Sequence, residues 1–232
     1  MALIYGIPGS ERELLNLYPG AVRKIEDIKT VYEDLKRQLK EEDNGLFGRI
    51  RRWYKRRQIN KFERNRGNPM HAGADGELRV LAELSKLPDG YHIMCGVTFE
   101  LPHYITYREK KNLKSAQMDF VVVSQRGVVL IEVKNWSTRY YRQHRGITPH
   151  EQADRAGLVL WASLKSWRSP HTPPVTTILL PIQENMRYDP NFKHVLVRRL
   201  GDINSFIIGQ REVFSEKEAQ RVVGRIRHRV TT

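Results

Sequence analysis

Residues 117–134 read QMDFVVVSQRGVVLIEVK. Two aliphatic runs, 120–123 and 128–131, enclose Ser124, Gln125, Arg126 and Gly127. Runs this rich in β-branched residues predict strands, and runs that are apolar at every position suit central strands covered on both faces. The interruption is short enough for a hairpin. A turn centred near 125–126 brings Asp119 roughly opposite Glu132, to within one residue of register. Glu132 and Lys134 are two apart and share a face. Three charged side chains therefore meet at one end of the hairpin, where an unpaired buried charge would be costly.

Two readings of that cluster are open. The plainer one is an Asp–Lys or Glu–Lys ion pair at a strand end. The other is a cation site, because two adjacent carboxylates repel unless a cation lies between them. Mg²⁺ or Mn²⁺ suits Asp119, Glu132 and the backbone carbonyl of Val133, with water completing the shell. Such a site can hydrolyse a phosphodiester, with Lys134 offsetting the charge that gathers on the phosphoryl oxygens. Glu77 precedes Val80, Leu81 and Leu84 by three, four and seven residues. It therefore shares their inward helix face, and is either an acid serving the site or one favoured by the helix dipole. Gln152 leads Ala156, Val159 and Leu160 along the inner side of a later helix, where it could hold a water or a phosphate.

Around the hairpin, helices and strands alternate. Helices are expected at about 74–86, 149–168 and after Ser215, and strands near 91–99, 175–181 and 194–199. Thr148, Pro149 and Glu151 form a capping-box start. A polar, basic loop is expected over 105–116. This order predicts an α/β fold, a mixed sheet flanked by helices. Upstream, residues 1–20 contain two Pro-Gly pairs and read as an irregular lead-in. Ile25, Ile28, Tyr32, Leu35 and Leu39 then recur at helical steps, and a second helix is expected from 46 to 64 with Ile50, Trp53, Tyr54 and Phe62 inward. The two form an α-helical hairpin. Gly67-Asn68-Pro69 marks the boundary between a basic helical region, 1–69, and a second domain, 70–232.

The motif residues together resemble the NERD family, the nuclease-related domain, in GADGELRVLAEL (73–84), QMDFVVVSQRGVVLIEVKNW (117–136) and TPHEQ (148–152). The resemblance implies a restriction-endonuclease-like sheet of the PD-(D/E)xK group. It assigns metal binding and catalysis to Asp119, Glu132 and Lys134, the first-helix acid to Glu77, and a P-x-x-Q element to Pro149 through Gln152. It implies nuclease chemistry; the alternative is a non-catalytic nucleic-acid-binding module with a vestigial site.

The formal net charge is +14 over 232 residues. A field of that sign favours polyanions, nucleic acid first and an anionic membrane surface second; as substrate of the nuclease reading, DNA is favoured. Three basic segments carry aromatic or polar company. They are 107–114 with Arg108, Lys110, Lys111 and Lys114; 138–145 with Arg139, Tyr140, Tyr141, Arg142 and Arg145; and the helix at 46–66 with Arg52, Lys55 and Arg56. Each reads either as a phosphate-binding surface or as a solvated basic segment. The single cysteine, Cys95, reads as a core residue and points to a reducing compartment. No leader pattern opens the chain and no apolar run reaches about 18 residues, so a cytoplasmic protein without a membrane span is expected. The heptad-like stripe at 25–39 permits a homodimer.

Overall fold

The computed structural model describes residues 1–42, 45–136, 145–165, 173–183 and 186–230. The chain divides into two compact units, residues 10–74 and a unit made of residues 1–9 and 75–232.

The larger unit is built on a six-stranded mixed sheet in sequence order, from β1 (Leu3–Tyr5) through β2 (His92–Tyr107), β3 (Lys110–Ser124), β4 (Gly127–Lys134) and β5 (Val175–Pro181) to β6 (Val195–Val197). The β2–β3 and β3–β4 pairs are antiparallel and the remaining pairs are parallel. Seven helices occur among the described residues: α1 (Gly9–Asn16), α2 (Asp27–Glu41), α3 (Leu46–Asn65), α4 (Met70–Leu84), α5 (Pro149–Leu164), α6 (Ile203–Ile208) and α7 (Glu216–Ile226). This is the expected α/β class, in an arrangement consistent with a restriction-endonuclease-like sheet.

The unbroken aliphatic runs are explained by cover on both sides. Every residue of β4 is buried. Val121, Val123, Val128 and Leu130 pack with Val159 and Leu160 of α5 and with Val222 and Ile226 of α7. On the other face Phe120, Val122, Val129 and Ile131 pack with Val80 and Leu84 of α4 and with Ile203 and Ile207 of α6; Cys95 is in this layer. The α5 backbone lies close on β5, since a Cβ on Gly157 would come 2.2 Å from Thr177 Oγ1. Thr148 Oγ1 caps α5 by accepting from the Glu151 N–H at 3.1 Å, and Ser215 and Glu218 make a full capping box on α7.

Three expectations are corrected. Residues 105–116 are not a loop. They continue β2 and β3 as a long hairpin down to the pair Tyr107↔Lys110. Most of its basic residues face solvent, and only a few apolar residues such as Tyr107 and Leu113 reach the core, so the segment lacks the apolar signature of a strand. It turns through Arg108 and Glu109 at φ 44° and 68°, a tight two-residue turn made by non-glycine residues. Residues 1–20 are not irregular either, since β1 pairs with β2 through Leu3↔His92, and α1 follows.

The third correction lies in the helical unit, where α2 and α3 form the expected hairpin. Phe62 is buried with Leu14, Tyr18 and Val22, and Ile59 is buried too. Ile50, Trp53 and Tyr54, expected inward, are exposed. Positions 52, 55, 59 and 62 form the inward stripe instead. Its first two places are filled by Arg52, whose guanidinium donates to the Glu42 carbonyl, and Lys55, which pairs with the Glu42 carboxylate at 2.5 Å.

Candidate active site

Asp119 lies near the middle of β3, and Glu132 and Lys134 close the C-terminal end of β4. The β3–β4 register runs Ser124↔Gly127 to Phe120↔Ile131, and one further step sets Asp119 opposite Glu132. All three share the side of the sheet that carries Val121 and Leu130, the α5 side. Gly96 stands abreast of Asp119 on β2, between the pairs Cys95↔Phe120 and Val97↔Met118, with φ 59°. Glycine takes that left-handed conformation without a Cβ penalty, and so turns the neighbouring strand beside the carboxylate.

Two hydrogen bonds fix the cluster. Asp119 Oδ2 accepts from the Val133 N–H at 2.7 Å. Lys134 Nζ donates to Glu132 Oε1 at 2.7 Å, and both side chains are almost completely buried. Glu132 Oε2 is buried and has no hydrogen-bond partner among the described residues. The Lys134 ammonium also lies 5.6 Å from the centre of the Trp136 ring. The ion-pair reading of the sequence is thus realised, but it leaves carboxylate in excess.

The electrostatics express that excess. Burial pushes Glu132 up to about 8, and the neighbouring charges of Asp119 and Glu77 add to the shift against the lowering pull of Lys134. Burial likewise raises Asp119, with Lys134 and the Val133 N–H opposing. Burial lowers Lys134, but the charges of Glu132, Asp119 and Glu77 outweigh it and hold the ammonium above its ordinary range. Three carboxylates thus act on one lysine. Glu77, buried on α4, comes close enough to act on both Glu132 and Lys134. It is placed by tight packing, since a Cβ on the preceding Gly76 would lie 2.7 Å from Asn135 Cβ.

An excess of buried negative charge with one orphaned oxygen suits a divalent cation. Among the described residues, no group of three or more His, Cys, Asp or Glu side chains is already gathered at metal-binding geometry. The fit therefore rests on Asp119 and Glu132 as a pair, with Glu77 acting at longer range.

The remaining candidates fall into three sets. Gln152 is exposed in the first turn of α5, where Ala153, Ala156 and Leu160 make the buried face. Its neighbour Ala153 packs with Leu179, the β5 partner of Glu132, and with Trp136, so Gln152 belongs to the same end of the sheet. Among the hairpin bases, Lys110 and Lys111 are exposed. Arg108 donates to the Asn191 carbonyl at 2.7 Å and stacks 4.1 Å from the Phe192 ring, and Lys114 pairs with Glu100 at 2.6 Å. Arg145 is exposed, whereas Arg139, Tyr140, Tyr141 and Arg142 lie outside the described residues. In the helical unit Arg56 is exposed, and Arg52 and Lys55 are turned to Glu42.

Sequence reasoning missed a basic cleft. Arg187, Tyr188, Arg198 and Arg199, with the one acid Asp202, line a cavity of about 500 Å³ together with Pro181, the β5 partner of Lys134. Tyr188 and Arg199 are exposed, and Arg198 stacks 4.4 Å from the Phe206 ring. No local pattern marks these residues. They reach the site because parallel pairing of β5 and β6 sets their C-terminal ends side by side.

Residues 72–181 match the family model of the nuclease-related domain, the family that the motif residues resemble. No curated protein and no solved structure matches the chain. Among the described residues, no helix is long and apolar enough to cross a membrane.

Proposed function

We propose that this chain is a divalent-metal-dependent nuclease that hydrolyses phosphodiester bonds of nucleic acid, DNA by preference. The observation that carries the reading is the pairing of Asp119 and Glu132 at one strand end, beside Lys134, with the buried Glu132 Oε2 left over. A bound Mg²⁺ or Mn²⁺, held by Asp119, Glu132 and the carbonyl of Val133 with Glu77 in support, would supply Lewis acidity and an acidified water. The chain's own groups do the rest. The Val133 N–H fixes the Asp119 carboxylate, so its free oxygen keeps one direction. Lys134, held protonated by its carboxylate neighbours, offers an ammonium to a non-bridging phosphoryl oxygen and offsets charge as the P–O bond breaks. Gln152 presents an amide at the start of α5, where it can orient the attacking water or a phosphate. Arg187, Arg198 and Arg199 extend a basic wall from Pro181 for the flanking phosphates, and Tyr188 offers a ring to an unpaired base.

The test uses purified protein with plasmid DNA, single-stranded DNA and RNA, with Mn²⁺ and then with EDTA. Cutting that needs Mn²⁺ and falls at least a hundredfold in Asp119→Asn supports the reading. Cutting retained by Asp119→Asn, or undiminished in EDTA, rejects it. The closed Lys134–Glu132 pair favours a second reading, a nucleic-acid-binding module whose site is vestigial. Retardation of DNA without cleavage under every metal condition would decide for it.

A further inference from the structure

On α3, Tyr54, Arg57, Gln58 and Lys61 stand at helical steps of three, four and seven and form one stripe. This is not the inward stripe. Arg52 and Lys55 face Glu42, while Ile59 and Phe62 are buried. Tyr54, Arg57 and Lys61 are exposed and line a cavity of about 460 Å³ whose other wall is Tyr18, Pro19, Gly20 and Ala21. All of these residues belong to the helical unit. The wall is rigid where it matters: Tyr18 is buried, its hydroxyl is 2.7 Å from His71 Nε2, and its ring packs against Phe62.

The volume lies within the usual range for a small-ligand site. The groove residues carry no acid, and α3 with the following Arg66 holds nine bases, Arg49, Arg51, Arg52, Lys55, Arg56, Arg57, Lys61, Arg64 and Arg66, against Glu63 alone. The ligand is therefore an anion, and an exposed ring beside two cations about one helical turn apart suits one with a flat face. We propose that this groove binds single-stranded nucleic acid, with Tyr54 stacking on an unpaired base and Arg57 and Lys61 taking the flanking phosphates. Trp53 is exposed beside it with Arg57 5.7 Å from its ring, and supplies a second platform for the next base. The inference does not depend on the proposed nuclease activity, because it concerns binding in the helical unit alone.

The test is fluorescence anisotropy of a labelled ten-residue oligothymidylate with the full chain in EDTA, so that no metal-dependent cutting intervenes. Tyr54→Ala should weaken binding about tenfold, and Tyr54→Phe, which keeps the ring, should bind as wild type. Arg57→Ala with Lys61→Ala should lower the slope of log affinity against log salt by about 1.4, the value for two phosphates on a single strand. Lys29→Ala with Lys40→Ala, exposed bases outside both the groove and α3, serve as the control and should leave both quantities within twofold of wild type. Losses confined to the groove variants support the site. Three results overturn it: equal losses in the control, affinity for a blunt duplex equal to that for the single strand, or no oligonucleotide binding at all. Melting curves of each variant verify folding, and cleavage assays with Asp119→Asn decide the nuclease reading separately.

Discussion

Lys134 and Arg57 are both cationic side chains on regular elements, and their surroundings are opposites. Lys134 is almost wholly buried at the end of β4, bonded to Glu132 and acted on by Asp119 and Glu77. Arg57 is exposed on α3, beside an equally exposed Trp53. Strand register determines which groups meet around Lys134, so deleting one leaves others stranded away from water. Around Arg57 water replaces whatever is removed. Charge is thus a structural element around Lys134 and a surface property around Arg57. The same substitution should have very different consequences in the two places.

The largest expected effect is Lys134→Met. At pH 9, where Glu132 is ionised, it leaves that buried carboxylate and the half-buried Asp119 with no cation, which costs about 3–5 kcal/mol when one partner of a buried pair is lost. Urea unfolding in EDTA measures it, and a loss below about 1 kcal/mol would show that water reaches the cluster. The next effect concerns backbone approach. Gly157→Ala drives a Cβ to 2.2 Å from Thr177 Oγ1, and such overpacking costs about 1–3 kcal/mol. Gly67→Ala in the helical unit meets nothing within 4 Å and should change stability by less than about 0.5 kcal/mol. Equal effects of the two glycine substitutions would remove the contrast between the units.

The same contrast explains what the sequence could show. The β3–β4 hairpin was legible because both its faces are buried, so its strands are aliphatic at every position and its turn is short. Asp119, Glu132 and Lys134 stood out as charges on those strands. The hairpin extension at 105–116 was not legible, because its solvent-facing bases outnumber the few apolar residues, Ile105, Tyr107 and Leu113, that reach the core. Trp53 and Tyr54 misled for the reverse reason. Helical period alone allows two stripes on α3 and favours the more apolar one as inward, whereas Arg52 and Lys55 take the inward places by reaching Glu42. Arg187, Arg198 and Arg199 join the site only through strand pairing between distant segments, which leaves no local trace.

A smaller, pH-dependent effect follows from Glu132. Its folded-state pKa, pushed up to about 8 by burial and by Asp119, stands above the unfolded value of 4.5. Between those limits the folded chain holds a proton that the unfolded chain has lost, so stability declines as pH rises through the window. The slope is at most about 1.4 kcal/mol per pH unit. Melting temperatures in EDTA should therefore be higher at pH 5 than at pH 8, and Glu132→Gln should flatten the difference. Mn²⁺ added at pH 8 should raise the melting temperature of the wild type more than that of Glu132→Gln. No response in either would favour the vestigial reading.

The smallest expected effect is at Trp53. A tryptophan ordinarily contributes several kcal/mol through burial, and Phe/Trp→Ala in a core costs about 3–5 kcal/mol. Trp53 is 61% exposed and its ring lies 5.7 Å from the Arg57 guanidinium, a contact worth about 0.5–1 kcal/mol at an exposed site. Trp53→Ala removes that contact and also removes a large apolar surface that faces water in the folded state. The two changes partly offset, so the net change in unfolding free energy should stay within about 0.5 kcal/mol. Urea titration checks it. A loss of 3 kcal/mol would mean that Trp53 is buried in solution and that the α3 surface is not the open, basic face described above.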